Sequence, residues 1–132
     1  MNGLDTNILT RYFTQDDPIQ SAKARHLVEQ ALIETQPLFI NHVVLCELVW
    51  VLVRSYRYSK ADICAILEKI LLAKQFWVEN EPLVCNALAD FKTSSADFAD
   101  CLIGVKNLYA GCHSTLTFDR AAAGLSSFNS LD

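Results

Sequence analysis

The chain is short of residues that interrupt structure, with four glycines and three prolines among 132 residues. Such scarcity excludes collagen-like and linker-rich chains and favours long helices. Paired cysteines are missing too. Cys46, Cys64, Cys85, Cys101 and Cys112 are odd in number and contain no C-x-x-C pair, so neither a disulfide framework nor a zinc site is expected. They read as reduced core thiols of a cytoplasmic protein. His26, His42 and His113 lack metal-ligand spacing. No apolar run is long enough for a bilayer, since the longest, 43–53, is broken by Glu47. Asp5 stands where a secretory leader would carry basic and then apolar residues. A basic surplus is also absent: 11 Lys and Arg face 15 Asp and Glu, a net charge of −4. That balance argues against nucleic-acid binding by charge alone, unless the surplus acid is gathered in one place and neutralised by metal.

What is present is a folding composition, 52% hydrophobic and 20% charged, with a length that suits one domain over residues 1–132. Residues 1–4 fit a short strand, and Ile8, Leu9, Tyr12 and Phe13 then recur at helical spacing. A loop at 14–18 leads through Pro18 into a helix expected to reach about residue 33. A buried strand is expected at 38–40, and Asn41 can cap a helix from 42 to about 56. Ser59 opens another, with Ile63, Ile66, Leu67, Ile70 and Leu71 as an apolar stripe. A third strand is expected at 76–78, helices at 82–92 and 94–109, a fourth strand at 114–118 and a weak fifth at Phe128. Gly111 ends the last long helix. Short apolar strands alternating with amphipathic helices indicate an α/β fold, a parallel sheet covered on both faces. Ligands of such sheets bind beyond the carboxyl ends of the strands. Asp5 and Asp119 stand at two of those ends.

Asp5 and Asp119 each precede a helix, and capping alone would explain either. Glu47 is different. Its helical neighbours Val43, Val44, Trp50 and Val51 are apolar and no basic residue lies within a turn, so a buried carboxylate in need of a partner is expected. Asp97 and Asp100 share a helix face. Ser94-Ser95-Ala96-Asp97 fits a capping box, which leaves Asp97 open between cap and ligand. Asp100 falls too deep in the expected helix to cap it. Its neighbours Ala96 and Gly104 are small enough to admit another element or a ligand. Carboxylates about 4 Å apart repel by about 4 kcal/mol at an effective dielectric of about 20. A hard divalent cation reverses that sign, and oxygen ligands select Mg²⁺ or Mn²⁺.

Leu4-Asp5-Thr6-Asn7-Ile8-Leu9, Asp16-Asp17-Pro18 and Glu47-Leu48-Val49-Trp50 resemble the first half of a PIN domain. Ala96-Asp97-Phe98-Ala99-Asp100-Cys101-Leu102-Ile103 and Leu116-Thr117-Phe118-Asp119-Arg120 resemble its second half. The similarity runs from about residue 3 to residue 128 and is nearest to the VapC-like toxins of bacterial toxin–antitoxin pairs. It implies a three-layer α/β/α sandwich with a short parallel sheet of four to five strands, and a metal-dependent endoribonuclease. Asp5, Glu47, Asp100 and Asp119 match the catalytic acids. Asp5 and Asp100 would be the main metal ligands, Glu47 and Asp119 would act through water or on a second ion, and Asp97 would lie at the rim. Asn7 and Thr117 would orient the acids. Cys101 and Gly104 stand where many relatives have alanine. The resemblance also implies an RNA substrate, a small VapB-like antitoxin and a homodimer. Arg11, Lys106 and Arg120, each near an acidic motif, are candidate phosphate contacts.

Two other classes fit parts of the pattern. An Mg²⁺-dependent phosphotransfer domain of receiver or phosphatase type would suit the size, but would carry paired acids or D-x-D after the first strand, where this chain has Asp5-Thr6-Asn7. A PIN fold reduced to a binding module would lack acids, and none of the four is missing.

Overall fold

Most helices of the chain begin at a side chain able to start one. In the computed structural model, which describes residues 1–132, Asp5 precedes α1 (Thr6–Thr14) and its carboxylate accepts from Thr6 N. Asp17 precedes α2 (Pro18–Ile33) and accepts from Ile19 N and Gln20 N, with Pro18 filling the first turn, where a missing N–H costs nothing. Asn41 accepts from Val44 N at the start of α3 (His42–Arg54). Ser59 and Asp62 form a reciprocal capping box on α4 (Lys60–Leu72).

The chain divides into two compact units, Met1–Glu79 and Asn80–Asp132. In the first, β1 (Leu38–Ile40) pairs in parallel with β2 (Phe76–Val78), Phe39 opposite Trp77. Residues 2–4 line the other side of β1: Gly3 bridges Phe39 in parallel, and Leu4 N donates to Phe39 O at 2.9 Å. The expected first strand is therefore a single bridge. Leu9, Val28, Ile40, Leu45, Leu48, Leu52, Ile63, Leu67 and Ile70 form the core of this unit.

The second unit contains α5 (Glu81–Thr93), α6 (Phe98–Tyr109), β3 (Thr115–Thr117), the short α7 (Arg120–Ala123) and β4 (Phe128–Ser130). β3 and β4 run parallel, Thr115 opposite Phe128, so the weak fifth strand expected at Phe128 is real. Phe91 and Phe98 meet edge to face at 5.9 Å between ring centres, fixing α5 against α6. Gly111 takes φ +101 just past α6, a left-handed turn that glycine adopts without strain.

Three further expectations change. The sheet appears as two parallel pairs of three-residue strands, and Trp77, Leu116 and Phe118 on or beside them are exposed rather than covered. The helix expected from Ser94 starts at Phe98: the Ser94 hydroxyl accepts from Ala96 N in a local turn, and Asp97 takes the cap position. The cysteines are not all core residues, since only Cys101 is buried while Cys85 and Cys112 are exposed on α5 and just after Gly111. None of the five forms a disulfide. No helix is long and apolar enough to cross a membrane.

Candidate active site

In the first unit, Asp5 lies exposed at the end of the segment bridged to β1. Its Oδ1 holds Thr6 N at 2.7 Å, and Oδ2 has no protein partner. The capping explanation thus uses one of its two oxygens. Thr6 is buried, and its hydroxyl donates to Glu47 Oε1 at 3.3 Å, tying the start of α1 to the middle of α3. Sequence reasoning gave the orienting role to Asn7, yet Thr6 makes this contact, while Asn7 is exposed and lines a groove beside α1. The signal was available in the Asp5-Thr6-Asn7 stretch.

Glu47 itself is exposed, which corrects the expectation of a buried carboxylate. Its neighbours Val43 and Trp50 are exposed with it, at 67% and 60%. The core face of α3 is instead Val44, Leu45, Leu48, Val49 and Leu52. A helix this apolar around its whole circumference does not reveal its buried side through the neighbours of one residue. Further along α3, Arg54 stacks on the Trp50 ring at 5.4 Å.

In the second unit three acids fall at two helix starts. Asp97 occupies the cap position of α6, but its side chain accepts no helix N–H. Asp100 is therefore in the first helical turn, not deep in the helix as expected, and it is half-buried. Burial raises its pKa above the usual carboxylate value, and the neighbouring charges of Asp119 and Asp97 push it further the same way. Asp119 is exposed and caps α7 through Oδ1, which accepts from Ala122 N at 2.9 Å. Thr117 Oγ1 accepts from Asp119 N at 2.9 Å, so the end of β3 fixes the backbone that carries the acid. Thr117 thus contacts the backbone of Asp119 and not its carboxylate.

The candidate phosphate contacts have different surroundings. Arg11 is held on one side: its Nε donates to Gln20 Oε1 at 2.7 Å, and its Nη1 to Asp16 Oδ1 at 3.1 Å and Tyr56 Oη at 3.2 Å. Lys106 and Arg120 are exposed on α6 and α7. His42, which carried no assignment, is buried beside Glu79: its Nε2 lies 2.6 Å from the Glu79 carbonyl, and its backbone N donates to Glu79 Oε1 at 3.0 Å.

No three His, Cys, Asp or Glu side chains are grouped closely enough to form a ready-made metal site. The chemistry of the donors nonetheless fits a hard cation. The acids offer oxygen only, and the two charges that perturb Asp100 are both negative, a state that a divalent ion relieves.

Parallel strands, helices started by acids, and Asp97 and Asp100 at the head of α6 within reach of the Asp119 charge describe a small α/β protein with acidic groups at its helix starts. A model of the PIN domain matches residues 4–126, and the chain belongs to that family. It is similar to a VapC ribonuclease of Aquifex aeolicus (strain VF5), 27% identical over 121 residues, which cover 91% of this chain and 88% of the relative.

Proposed function

We propose that the chain is a divalent-metal-dependent endoribonuclease, a single PIN-like nuclease domain acting as the toxin of a toxin–antitoxin pair. One observation carries the metal dependence: Asp100, half-buried in the first turn of α6, has its carboxyl pKa raised first by burial and then by the negative charges of Asp119 and Asp97. Carboxylates that repel one another while partly buried carry a cost that the helix start offsets only in part and that a divalent cation removes. Membership of the PIN family and the likeness to a ribonuclease supply the substrate, RNA.

In this proposal Asp5, Glu47, Asp100 and Asp119 are the catalytic acids, with Asp5 and Asp100 the main ligands of Mg²⁺ or Mn²⁺ and Asp97 at the rim. Bound there, the ion would supply an acidified water and a counter-charge for the phosphate. The chain's own part is orientation. Thr6 holds one Glu47 oxygen, and Thr117 holds the backbone of Asp119. Asp5 and Asp119 are each immobilised through one oxygen that a helix N–H engages. Arg11, Lys106 and Arg120 are the proposed phosphate contacts, and Asn7 a further orienting group. Water attacking in line with the leaving 3′ oxygen leaves a 5′ phosphate. A VapB-like antitoxin and a second copy of the chain are the proposed partners in the cytoplasm.

Incubating purified protein with total RNA and Mn²⁺, then mapping the new ends, tests this directly. Cleavage with 5′ phosphates, abolished by EDTA and by Asp5→Asn or Asp100→Asn, is expected. Undiminished cleavage in EDTA removes the metal from the mechanism. A second possibility, a PIN-fold binding module without catalysis, is favoured by the lack of any pre-grouped metal ligands. Calorimetric Mn²⁺ titration separates the two: binding that ignores Asp5 and Asp100 supports the module.

A further inference from the structure

Between α1 and α2 lies an open groove of about 440 Å³, lined by Asn7, Ile8, Arg11, Gln20, Lys23, Ala24 and Leu27. Its floor is apolar, from Ile8, Ala24 and Leu27, and its rim is polar and cationic. The size is that of an ordinary ligand cleft, about 300–1,000 Å³. It begins at Asn7, in the first turn of the helix that Asp5 caps. We infer that this groove holds the backbone of the single RNA strand running to Asp5, with Lys23 and Arg11 each contacting a phosphate. This rests on the proposed ribonuclease function, and adds to it where the substrate lies outside the acids.

Three observations support the assignment. Lys23 is exposed and in no ion pair, a bare cation on a chain whose net charge is −4. Arg11 is oriented before any ligand arrives. Tyr56 Oη donates to Asp16 Oδ2 at 2.5 Å, Thr14 Oγ1 donates to Asp16 Oδ1 at 3.0 Å, and Asp16 in turn receives Arg11 Nη1. These contacts with Gln20 occupy Nε and Nη1, leaving Nη2 for a phosphate oxygen. Tyr56 and Asp16 are thus positioning residues, 40 positions apart in sequence, that act through Arg11. A cationic rim over a small apolar floor complements a nucleotide strand, with phosphates at the rim and a base or ribose on the floor. An amphipathic protein helix would instead need a longer apolar trough with anchors at helical spacing.

The test uses the full chain as Asp100→Asn, so that RNA survives, and a fluorescent oligouridylate without divalent ions. Adding Lys23→Ala should weaken binding about fourfold at ~0.15 M monovalent salt and flatten the salt slope by about 0.7, the effect of one lost phosphate contact on a single strand. Tyr56→Phe in the cleaving protein should raise KM and leave kcat unchanged, a split that mere loss of stability would not give. Poly-L-glutamate is titrated in parallel. Dependence on Lys23 for polyglutamate but not for oligouridylate overturns the proposal in favour of an acidic protein segment. Cleavage by the parent chain with oligouridylate binding and salt slope indifferent to Lys23 overturns the groove while sparing the nuclease. Lys23-dependent oligouridylate binding by a chain that never cleaves keeps the groove and removes the nuclease.

Discussion

At the scale of single residues, the acids show how a capping explanation and a functional one can both hold. Asp5 and Asp119 cap helices through one oxygen and keep the other without a protein partner. Asp97 stands at a cap position, yet its carboxylate accepts no helix N–H. Asp100 carries the clearest energetic signature. Its folded-state pKa lies above the ordinary value of 3.8, first through burial and then through Asp119 and Asp97. A carboxyl raised in this way favours the fold while protonated and loses that contribution as pH rises through the folded-state pKa. Asp100→Asn removes the titration, so without divalent ions the variant should be the more stable at pH 7, by about 0.5 kcal/mol after solvent screening. The gap should close as pH falls to the ordinary carboxylate range. Urea melts at both pH values check this, and a less stable variant at pH 7 would show that Asp100 has a hidden counter-charge. These acids were legible as motif letters. Their surroundings were not: Thr6 to Glu47 spans 41 positions and Tyr56 to Asp16 spans 40, and no periodicity reports such polar contacts.

At the scale of elements, helix starts were readable wherever one cap residue stood alone, as at Asn41 and Ser59. They were misread where two candidates stood three apart. Ser94 and Asp97 both have cap chemistry, and the turn made by the Ser94 hydroxyl decided for the later one. That shift moved Asp100 from mid-helix to the first turn and changed what could surround it. The small residues expected to admit a neighbour behave as expected at Gly104. A Cβ there would meet Ser127 Oγ, and Phe128 Cε1 at 2.7 Å, so the approaching element is the segment entering β4. Ser127 is buried and its hydroxyl lacks a partner, which shows how tightly this contact is closed. In an open helix Gly→Ala gains about 1 kcal/mol of propensity. Here the overpacking cost of about 1–3 kcal/mol should exceed it. Gly104→Ala is therefore expected to lower stability by about 1 kcal/mol in denaturant melts, and a stabilised variant would mean that Ser127 and Phe128 can move aside freely.

At the scale of the whole molecule, the α/β class and the parallel direction of the strands were legible, because βα alternation leaves few other solutions. The extent of the sheet was not. Strands of three residues carry too few positions for alternation to mark which faces are covered, and Trp77, Leu116 and Phe118 proved exposed. The chain's division at Glu79 also leaves each unit with acids of its own, Asp5 and Glu47 before it, Asp97, Asp100 and Asp119 after it. Metal addition and removal ask which of them an ion uses. Binding to the folded chain alone stabilises it by about 2.7 kcal/mol at a hundredfold excess over Kd, roughly 10 °C in Tm for a chain of this size. Mn²⁺ should therefore raise the Tm of the parent protein by that amount and EDTA should reverse it. The shift should vanish in Asp100→Asn and equally in Asp5→Asn if both are principal ligands. A shift lost in Asp100→Asn but kept in Asp5→Asn would confine the ion to the Asn80–Asp132 unit and leave Asp5 as no more than the cap of α1.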